Sequence, residues 1–253
     1  MNTRSRREAL LKLLMEQKRV SINDIARRFD VTTMTVRRDL KRFAQDGIVT
    51  LMHGGAVYNE GGYALPAVTA REHAMQAEKN ALGRYCAGLV KTGNAIYLDG
   101  GSTVLKIAEA LLPVENIAVL THSLPAINIL AHAHNIQLIP MTGTYEPSSK
   151  AFYGEMTVEM ISRFRIDIAF LGTGAIDERL GLMSSVIADQ AVKQALLRSA
   201  RRKVVVVDHT KIRHELFLRV AGLRELDDIV TDRQADADFV QAARRQGVHV
   251  VQV

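Results

Sequence analysis

The sequence is poor in residues that cross-link a chain or bind metals. Its 253 residues include a single cysteine, Cys86, so no disulfide can form within the chain. HExxH and CxxC spacings are absent, and His132 and His134 stand two residues apart, which on a helix points them to different faces. We expect neither a metal site nor a cofactor. We also expect the two histidines to face solvent at a helix end and Cys86 to be buried.

Long apolar runs are missing too. No stretch approaches the roughly 20 residues that span a bilayer, and residues 1–7 are too polar and basic for a signal peptide. We therefore expect a cytoplasmic protein without membrane contacts. The length suits one small and one medium domain, each able to bury a core.

The excess positive charge is confined to one end of the chain. Residues 1–58 hold 12 lysines and arginines against 6 acidic residues, whereas the remainder holds 21 of each, so the whole net charge of +6 lies in the first quarter. Such asymmetry is typical of a protein in which one domain meets a polyanion. Basic surfaces also serve solubility, so the charge alone favours nucleic acid only modestly.

A segment with two glycines and a proline, residues 59–68, predicts a linker between a domain at 1–58 and a second at 69–253. A helical pattern follows from about 69 to 91, and apolar runs then alternate with helical segments. This alternation predicts an α/β domain around a mostly parallel sheet. The predicted strands are Ala95–Leu98, Ile117–Thr121, Ile136–Pro140, Ile166–Leu171, 204–207 and 248–251, and the predicted helices are 103–112, 124–133, 154–163, 187–200 and 236–246.

The sequence of the first domain predicts three helices followed by a hairpin. The first helix covers about residues 4–17, and the second begins at Ser21, with Asp24 as its capping-box partner. Gly47 ends the third helix. Residues 48–51 and 56–58, joined by a turn at 53–55, predict a wing, so the domain is predicted to be a winged helix-turn-helix.

The third helix carries the most informative face. It buries Val36, Leu40 and Phe43, and its other face is long, basic and rich in hydroxyls, which suits insertion into the DNA major groove. Arginine-rich faces are often only solvated, but the order of the elements and the position of the charge together favour DNA. The predicted contacts are Thr32 and Thr33, either of which can cap the helix, then Met34, Thr35, Arg37, Arg38, Lys41, Arg42 and, in the wing, His53.

The second domain offers polar turns after four of its predicted strands. Glycines and hydroxyls in the first of these turns precede a helix, an arrangement that suits an anion, although such turns are often plain connections. Parallel strands end at one edge, where α/β sheets bind small molecules. We predict a site there for a phosphorylated, hydroxyl-rich effector, with lysines that offset phosphate charge. Taken singly, each lysine slightly favours a structural role, with Lys193 on the surface and Lys211 in a loop salt bridge with Asp208. The predicted effector residues are Asp99, Gly100, Gly101, Ser102, Thr103, Thr121, His122, Ser123, Gly172, Thr173, Gly174, Asp177, Lys193, Asp208 and Lys211.

Two motifs in the first domain, TVRRDL at 35–40 and HGGA at 53–56, resemble those of the DeoR/GlpR family of bacterial transcriptional regulators. The resemblance continues at Lys79, 99–103, 169–172, the pair Asp208 and Lys211, and 231–232. It implies a repressor that binds operator DNA and a sugar-phosphate sensor domain with a fold similar to ribose-5-phosphate isomerase and the CoA transferases. Four positions depart from the family pattern, in the wing and near the predicted effector site: Leu51, His122, Thr142 and Thr144.

These features predict a homodimer or homotetramer on double-stranded, palindromic operator DNA, released by a sugar or polyol phosphate. The alternative is a sugar-phosphate isomerase with an accessory DNA-binding domain. In that case Asp99 or Asp177 would act as a general base and Lys211 would stabilise an enediolate. The attached DNA-binding domain favours a signal over a substrate.

Overall fold

The computed structural model describes residues 3–45, 49–58, 71 and 74–253. The predicted linker at 59–68 and the predicted helix end at Gly47 lie outside these residues. The chain divides into two compact units, Met1–Ala74 and Met75–Val253. No helix among the described residues is long and apolar enough to cross a membrane.

Residues 3–45 and 49–58 of the first unit form three helices and a small antiparallel sheet of order β1-β3-β2. Leucines of the first helix, including Leu10 and Leu14, pack with Ile25, Val36 and Leu40 to form its core. The sheet contains the predicted wing, and β1 joins it as a third strand. The elements are α1 (Thr3–Gln17), β1 (Arg19–Ser21), α2 (Ile22–Phe29), α3 (Thr33–Gln45), β2 (Val49–Met52) and β3 (Gly55–Tyr58).

The capping box predicted at the start of α2 is wrong. Ser21 is the N-cap residue, but its side chain makes no capping hydrogen bond. Its backbone instead pairs with Gly55 at the end of β1, and Asp24 forms an exposed ion pair with Arg27 at 2.5 Å. The short Asp24 carboxylate therefore neutralises its own helix face and does not reach back to the cap.

The second unit is an α/β domain around a seven-stranded sheet. Helices α4 (Gln76–Ala87), α5 (Ser102–Ala110), α6 (Leu124–Leu130), α7 (Glu155–Ser162), α8 (Ile187–Ser199) and α9 (Ala237–Arg245) surround it. The strands of the unit, in chain order, are β4 (Ala95–Leu98), β5 (Ile117–Thr121), β6 (Ile136–Pro140), β7 (Thr144–Glu146), β8 (Ala151–Tyr153), β9 (Ile166–Leu171), β10 (Ala175–Asp177), β11 (Gly181–Ser184), β12 (Ala200–Val206), β13 (Leu218–Ala221), β14 (Asp228–Thr231) and β15 (His249–Gln252).

All neighbouring strands of the large sheet are parallel, in the order β15-β14-β12-β9-β4-β5-β6. Its strands bury side chains on both faces. Ile96 and Leu98 pack with α4, α5 and α6, whereas Tyr97 between them packs with the core under α7, α8 and α9. Because β12, β9, β4 and β5 are consecutive in the sheet, their carboxyl ends lie side by side.

Several elements of this unit differ from the prediction. The first helix begins at Gln76, because Met75 has a left-handed φ of 51°, and it ends at Ala87. Strand β14 was not predicted, since Asp228 and Thr231 leave only two apolar residues between them. The hairpin β7–β8 and the small sheet β10-β11-β13 were missed as well.

Candidate functional site

The outer face of α3 has the exposure predicted for it. Val36, Leu40 and Phe43 are buried in the core of the first unit. On the opposite side Met34 is 62% exposed, an unusual position for a large apolar side chain. The predicted DNA contacts that are exposed on this helix are Thr33, Met34, Arg37, Arg38, Lys41 and Arg42, and Thr35 is half-buried.

Thr32 caps this helix. Its Oγ1 accepts a hydrogen bond from the backbone N–H of Thr35 at 3.2 Å and lies 3.0 Å from the Thr35 hydroxyl. Of the two threonines predicted as caps, Thr32 is the one that does so, and Thr33 is the first helical residue. An exposed helix start of this kind also favours an anion such as a DNA phosphate.

A buried ion pair joins α3 to α1. Asp39 is 1% exposed, and its two carboxylate oxygens lie 2.7 Å from Nε of Arg6 and 2.7 Å from Nε of Arg7. The carboxylate is therefore neutralised inside the unit and is not presented beside Arg38. This ion pair was not predicted, because no spacing rule links residues more than 30 positions apart.

The wing presents apolar side chains beside its histidine. His53 is exposed in the turn between β2 and β3, as predicted. Leu51 and Met52 next to it are 48% and 47% exposed. The wing therefore offers DNA a surface with little positive charge.

Asp99 is the centre of a buried polar cluster at the carboxyl ends of β4, β5 and β9. Its Oδ1 accepts a hydrogen bond from the Gly100 N–H at 2.8 Å. Its Oδ2 accepts one from the Gly172 N–H at 2.9 Å and lies 2.8 Å from Lys193 Nζ. The loops after β4 and β9 and helix α8 thus meet at one carboxylate.

Lys193 is buried in this cluster and is not a surface residue. Its Nζ also lies 2.6 Å from Asp189 Oδ1, and Ser184 Oγ donates to Asp189 Oδ2 at 2.9 Å. Burial disfavours the ammonium, but the carboxylates of Asp189 and Asp99 outweigh this effect and raise the pKa of Lys193. Two carboxylates face one ammonium, so the cluster can accept further hydrogen-bond donors.

His122 lies on the other side of Asp99. Its Nδ1 is 2.9 Å from the Tyr97 hydroxyl, and its ring packs edge-on against Tyr153, with centroids 5.2 Å apart. Its Nε2 is 3.6 Å from Asp99 Oδ1, just beyond a direct hydrogen bond. Burial lowers the pKa of His122 below its ordinary 6.5, and the Asp99 carboxylate offsets this only in part. The imidazole is therefore neutral at pH 7.

Two buried hydroxyls at the start of α5 have no hydrogen-bond partner among the described residues. They belong to Ser102 and Thr103, each 2% exposed. Gly101 precedes them with a φ of +113°, which side-chain-bearing residues rarely adopt, and nothing lies within 4 Å of a Cβ placed there. Unsatisfied buried hydroxyls beside a helix N-terminus form an environment suited to anionic oxygens.

Three of the predicted effector residues use their hydroxyls within the fold. Thr121 donates to the Leu98 carbonyl at 2.7 Å, and Ser123 Oγ accepts from the Ala126 N–H at 3.4 Å as the cap of α6. Thr173 donates to the Ala175 carbonyl at 2.7 Å. These groups shape the strand ends.

The remaining predicted acidic residues lie in other settings. Asp177 accepts hydrogen bonds from the backbone N–H groups of Arg179 and Leu180, so it closes the turn between β10 and β11. Asp208 follows β12, and its Oδ2 is 3.8 Å from Lys211 Nζ. Burial raises the pKa of Asp208, but the charges of Lys211 and of buried Lys79 bring it below its ordinary value.

The structure thus brings together part of the predicted effector set. The residues within 3.6 Å of the Asp99 carboxylate are Gly100, His122, Gly172 and Lys193; Gly101, Ser102 and Thr103 follow Gly100 in the same loop, and half-buried Gly174 follows Gly172. Four further residues of the cluster were not predicted: Tyr97, Asp189, Ser184 and Tyr153. The spacing of Asp189 four residues before Lys193 was the available signal, since such residues are neighbours on a helix. His132 and His134 are exposed after the end of α6, and Cys86 is buried, as predicted.

Both units match models of known protein families. Residues 6–61 match the DeoR-like helix-turn-helix domain, and residues 74–233 match the DeoR C-terminal sensor domain. The chain belongs to the DeoR family. This DeoR-family regulator is therefore a DNA-binding protein with a helix-turn-helix domain and a sensor domain, and the fold predicted for each is confirmed.

Curated relatives of the regulator match it over nearly their whole length. The HTH-type regulator YgbI of Escherichia coli K12, itself uncharacterised, is 32% identical over 90% of this chain and 89% of its own. The repressor GlcR of Bacillus subtilis is 27% identical over 96% and 93%, and the glycerol-3-phosphate regulon repressor of E. coli K12 is 27% identical over 95% of each chain. Among solved structures, ribose-5-phosphate isomerase A of Methanocaldococcus jannaschii matches 54% of each chain with 20% identity and a TM-score of 0.40.

Proposed function

We propose that this DeoR-family regulator represses a sugar or polyol catabolic operon and leaves its operator when a phosphorylated sugar or polyol binds its sensor domain. Residues 1–58 would bind DNA and residues 69–253 would bind the effector. Two relatives named as repressors, one of them of a glycerol-3-phosphate regulon, support repression and this class of ligand.

The observation that carries the proposal is the buried cluster at Asp99. It combines two kinds of binding group, one for sugar hydroxyls and one for phosphate oxygens. Carboxylates with spare acceptor positions, at Asp99 and Asp189, suit sugar hydroxyls, and the unpartnered hydroxyls of Ser102 and Thr103 at a helix N-terminus suit phosphate oxygens. Lys193 supplies a cation beside both carboxylates.

The DNA side of the proposal rests on the exposed face of α3. Arg37, Arg38, Lys41 and Arg42 are all solvent-exposed, and the Asp39 carboxylate between them is turned inward. Arginines in the major groove make bidentate contacts to guanine, and lysines contact phosphates. Helix-turn-helix proteins read two half-sites, so we propose a homodimer or homotetramer on a palindromic operator in the bacterial cytoplasm.

The geometry gives less support to an isomerase. A general base needs a free carboxylate within reach of a substrate proton. Asp99 is already paired with Lys193, Asp177 closes a backbone turn, and Lys211 faces Asp208. The three residues that such an enzyme would use are thus engaged in other contacts.

A thermal-shift screen against sugar and polyol phosphates tests the sensor role. A ligand that binds only the folded state raises the melting temperature, by an amount that grows with ligand concentration. We expect at least one phosphate to raise it and its unphosphorylated form to have no effect at the same concentration. No shift with any phosphate would contradict the sensor role. Interconversion of aldose and ketose phosphates at an enzymatic rate would favour the isomerase.

A further inference from the structure

His122 and Asp99 form a pair of polar groups for which the proposed function names no partner on the effector. His122 Nε2 is fully buried and has no hydrogen-bond partner among the described residues. A buried polar atom without a partner is costly, so such atoms commonly mark a ligand or an ordered water. Asp99 Oδ1 lies 3.6 Å from this nitrogen.

The neighbours of His122 decide which nitrogen carries its proton. The Tyr97 hydroxyl, 2.9 Å from Nδ1, stays protonated, because burial and the Asp99 carboxylate raise the pKa of Tyr97 well above its ordinary value. If Nδ1 carried the proton, the bare lone pair of Nε2 would face the Asp99 carboxylate. The favourable arrangement has Tyr97 donating to Nδ1 and a proton on Nε2 that points toward Asp99.

The pair therefore offers one donor and one acceptor across a gap slightly too wide for a direct bond. A ligand oxygen about 2.8 Å from each atom would lie to one side of the line that joins them, where it would share the Nε2 proton with Asp99 Oδ1. Only a group that both accepts and donates satisfies both, because it must accept from Nε2–H and donate to Asp99 Oδ1. A hydroxyl does this, whereas a carbonyl or ether oxygen would face the carboxylate without a proton to donate.

A glycine loop lies beside the pair. Gly100, whose Cβ position would be 3.4 Å from His122 Nε2, and Gly101 are both part-exposed, and the space beside Gly101 is open. A ligand whose anionic end lies at Ser102 and Thr103 would pass this glycine loop to reach His122.

We propose that His122 is a specificity-determining residue that, with Asp99, reads one hydroxyl of the effector. This inference rests on the proposed sensor function and adds to it the requirement for a free hydroxyl at one position. Tyr97 is the positioning residue that holds the imidazole in the donor form at Nε2.

This proposal is tested by combining changes in the ligand with substitutions in the protein. The probes are glycerol 3-phosphate, ribitol 5-phosphate and sorbitol 6-phosphate, and the one that binds is compared calorimetrically with its single-deoxy analogues. In the unaltered protein one deoxy analogue should bind about tenfold or more weakly than its parent. In His122→Phe that difference should shrink to within about twofold, while His134→Phe, an exposed histidine of the same unit, keeps it.

A measurement on the unaltered protein covers the case in which His122→Phe does not fold. Proton–nitrogen NMR of the imidazole should show the proton on Nε2, and this proton should move downfield with the parent phosphate but not with the discriminated deoxy analogue. A proton on Nδ1, or deoxy analogues that all bind like the parent, would overturn the inference and leave the sensor role standing. Failure of every phosphate to bind would instead overturn the proposed function, and this inference with it.

Discussion

Asp99, Asp189 and Lys193 place two carboxylates against one ammonium inside the sensor domain, with neutral His122 at their edge. Because the carboxylate oxygens are buried and can accept further hydrogen bonds, a ligand gains the most binding free energy when its hydroxyls donate to them. Under the proposed function, a polyol chain would therefore fit near Asp99 better than a second anionic group would, and the phosphate would lie at the start of α5.

The neutral state of His122 makes stability depend on pH. Its pKa is lowered in the folded protein, mainly by burial, so the unfolded chain binds a proton more readily below the ordinary value of 6.5. The stabilisation is therefore complete above pH 6.5 and is lost as the pH falls through the lower folded value. We expect the free energy of unfolding of the sensor domain, from denaturant titrations, to drop between pH 7.5 and 5.5.

His122→Gln should flatten this drop, whereas His134→Gln, at an exposed position, should leave it unchanged. If the free energy of unfolding fell equally steeply with pH in the His122→Gln variant and the unaltered protein, another group would be responsible for the drop. Asp228 does not interfere. Burial raises its pKa, but the hydrogen bonds from Arg202 and His249 lower it below 3.8, so its contribution is lost at more acidic pH.

Arg38 is the side chain on which we base the DNA-reading face. Removing its guanidinium in Arg38→Ala should weaken operator binding by roughly 5- to 150-fold, the range for loss of one bidentate contact worth about 1–3 kcal/mol. Fluorescence anisotropy with an operator fragment selected from a random pool measures this. Arg198→Ala removes an exposed arginine from the sensor domain and should change operator affinity little. Comparable losses in both variants would mean that only total charge matters.

The burial of individual residues was predicted well where a periodic pattern determines it. Val36, Leu40 and Phe43 are buried because the helical period requires it. Lys193 was ambiguous, since nothing in its neighbourhood except Asp189 marks it as buried. Tyr97 could not be found, because a tyrosine in an apolar strand is normally a core residue.

At the scale of elements, the ion pair of Asp39 with Arg6 and Arg7 holds α3 against α1. Asp39→Ala would leave the largely buried Arg6 guanidinium without its partner, which costs about 3–5 kcal/mol. We expect hydrogen exchange of α1 and α3, followed by mass spectrometry, to accelerate strongly in this variant.

Asp24→Ala is the matched control. It removes an ion pair on α2 whose two side chains are mostly exposed, and pairs of this kind contribute about 0–1 kcal/mol. Its exchange rates should stay close to those of the unaltered protein. Similar acceleration in both variants would mean that the Asp39 pair is no more important than a surface contact.

The strands predicted correctly are those in which apolar residues predominate. Strands β4, β5, β6 and β9 have the bounds predicted for them, although Gln137 and Asp167 interrupt the apolar runs of β6 and β9. Strand β14 was missed although it lies inside the sheet, because it begins with a polar residue. That residue, Asp228, forms hydrogen bonds with Arg202 and His249. Strand β1, three residues long, is too short to show any alternation.

At the scale of the whole molecule, the proposed switch requires that operator and effector binding are coupled. An effector can weaken DNA binding only if it binds the DNA-free state more tightly, and the coupling is reciprocal. The uneven division of charge fits this arrangement, since residues 59–253 carry no net charge and would compete little with the DNA-binding domain for the polyanion.

The most direct test of this account is the operator affinity of the full chain, by fluorescence anisotropy, with and without the phosphate identified in the thermal-shift screen. We predict that a saturating phosphate weakens operator binding by about 5- to 150-fold. Asp99→Ala should bind the operator normally and no longer respond. Unchanged operator affinity at saturating ligand, or a full response in Asp99→Ala, would contradict a switch controlled from this site.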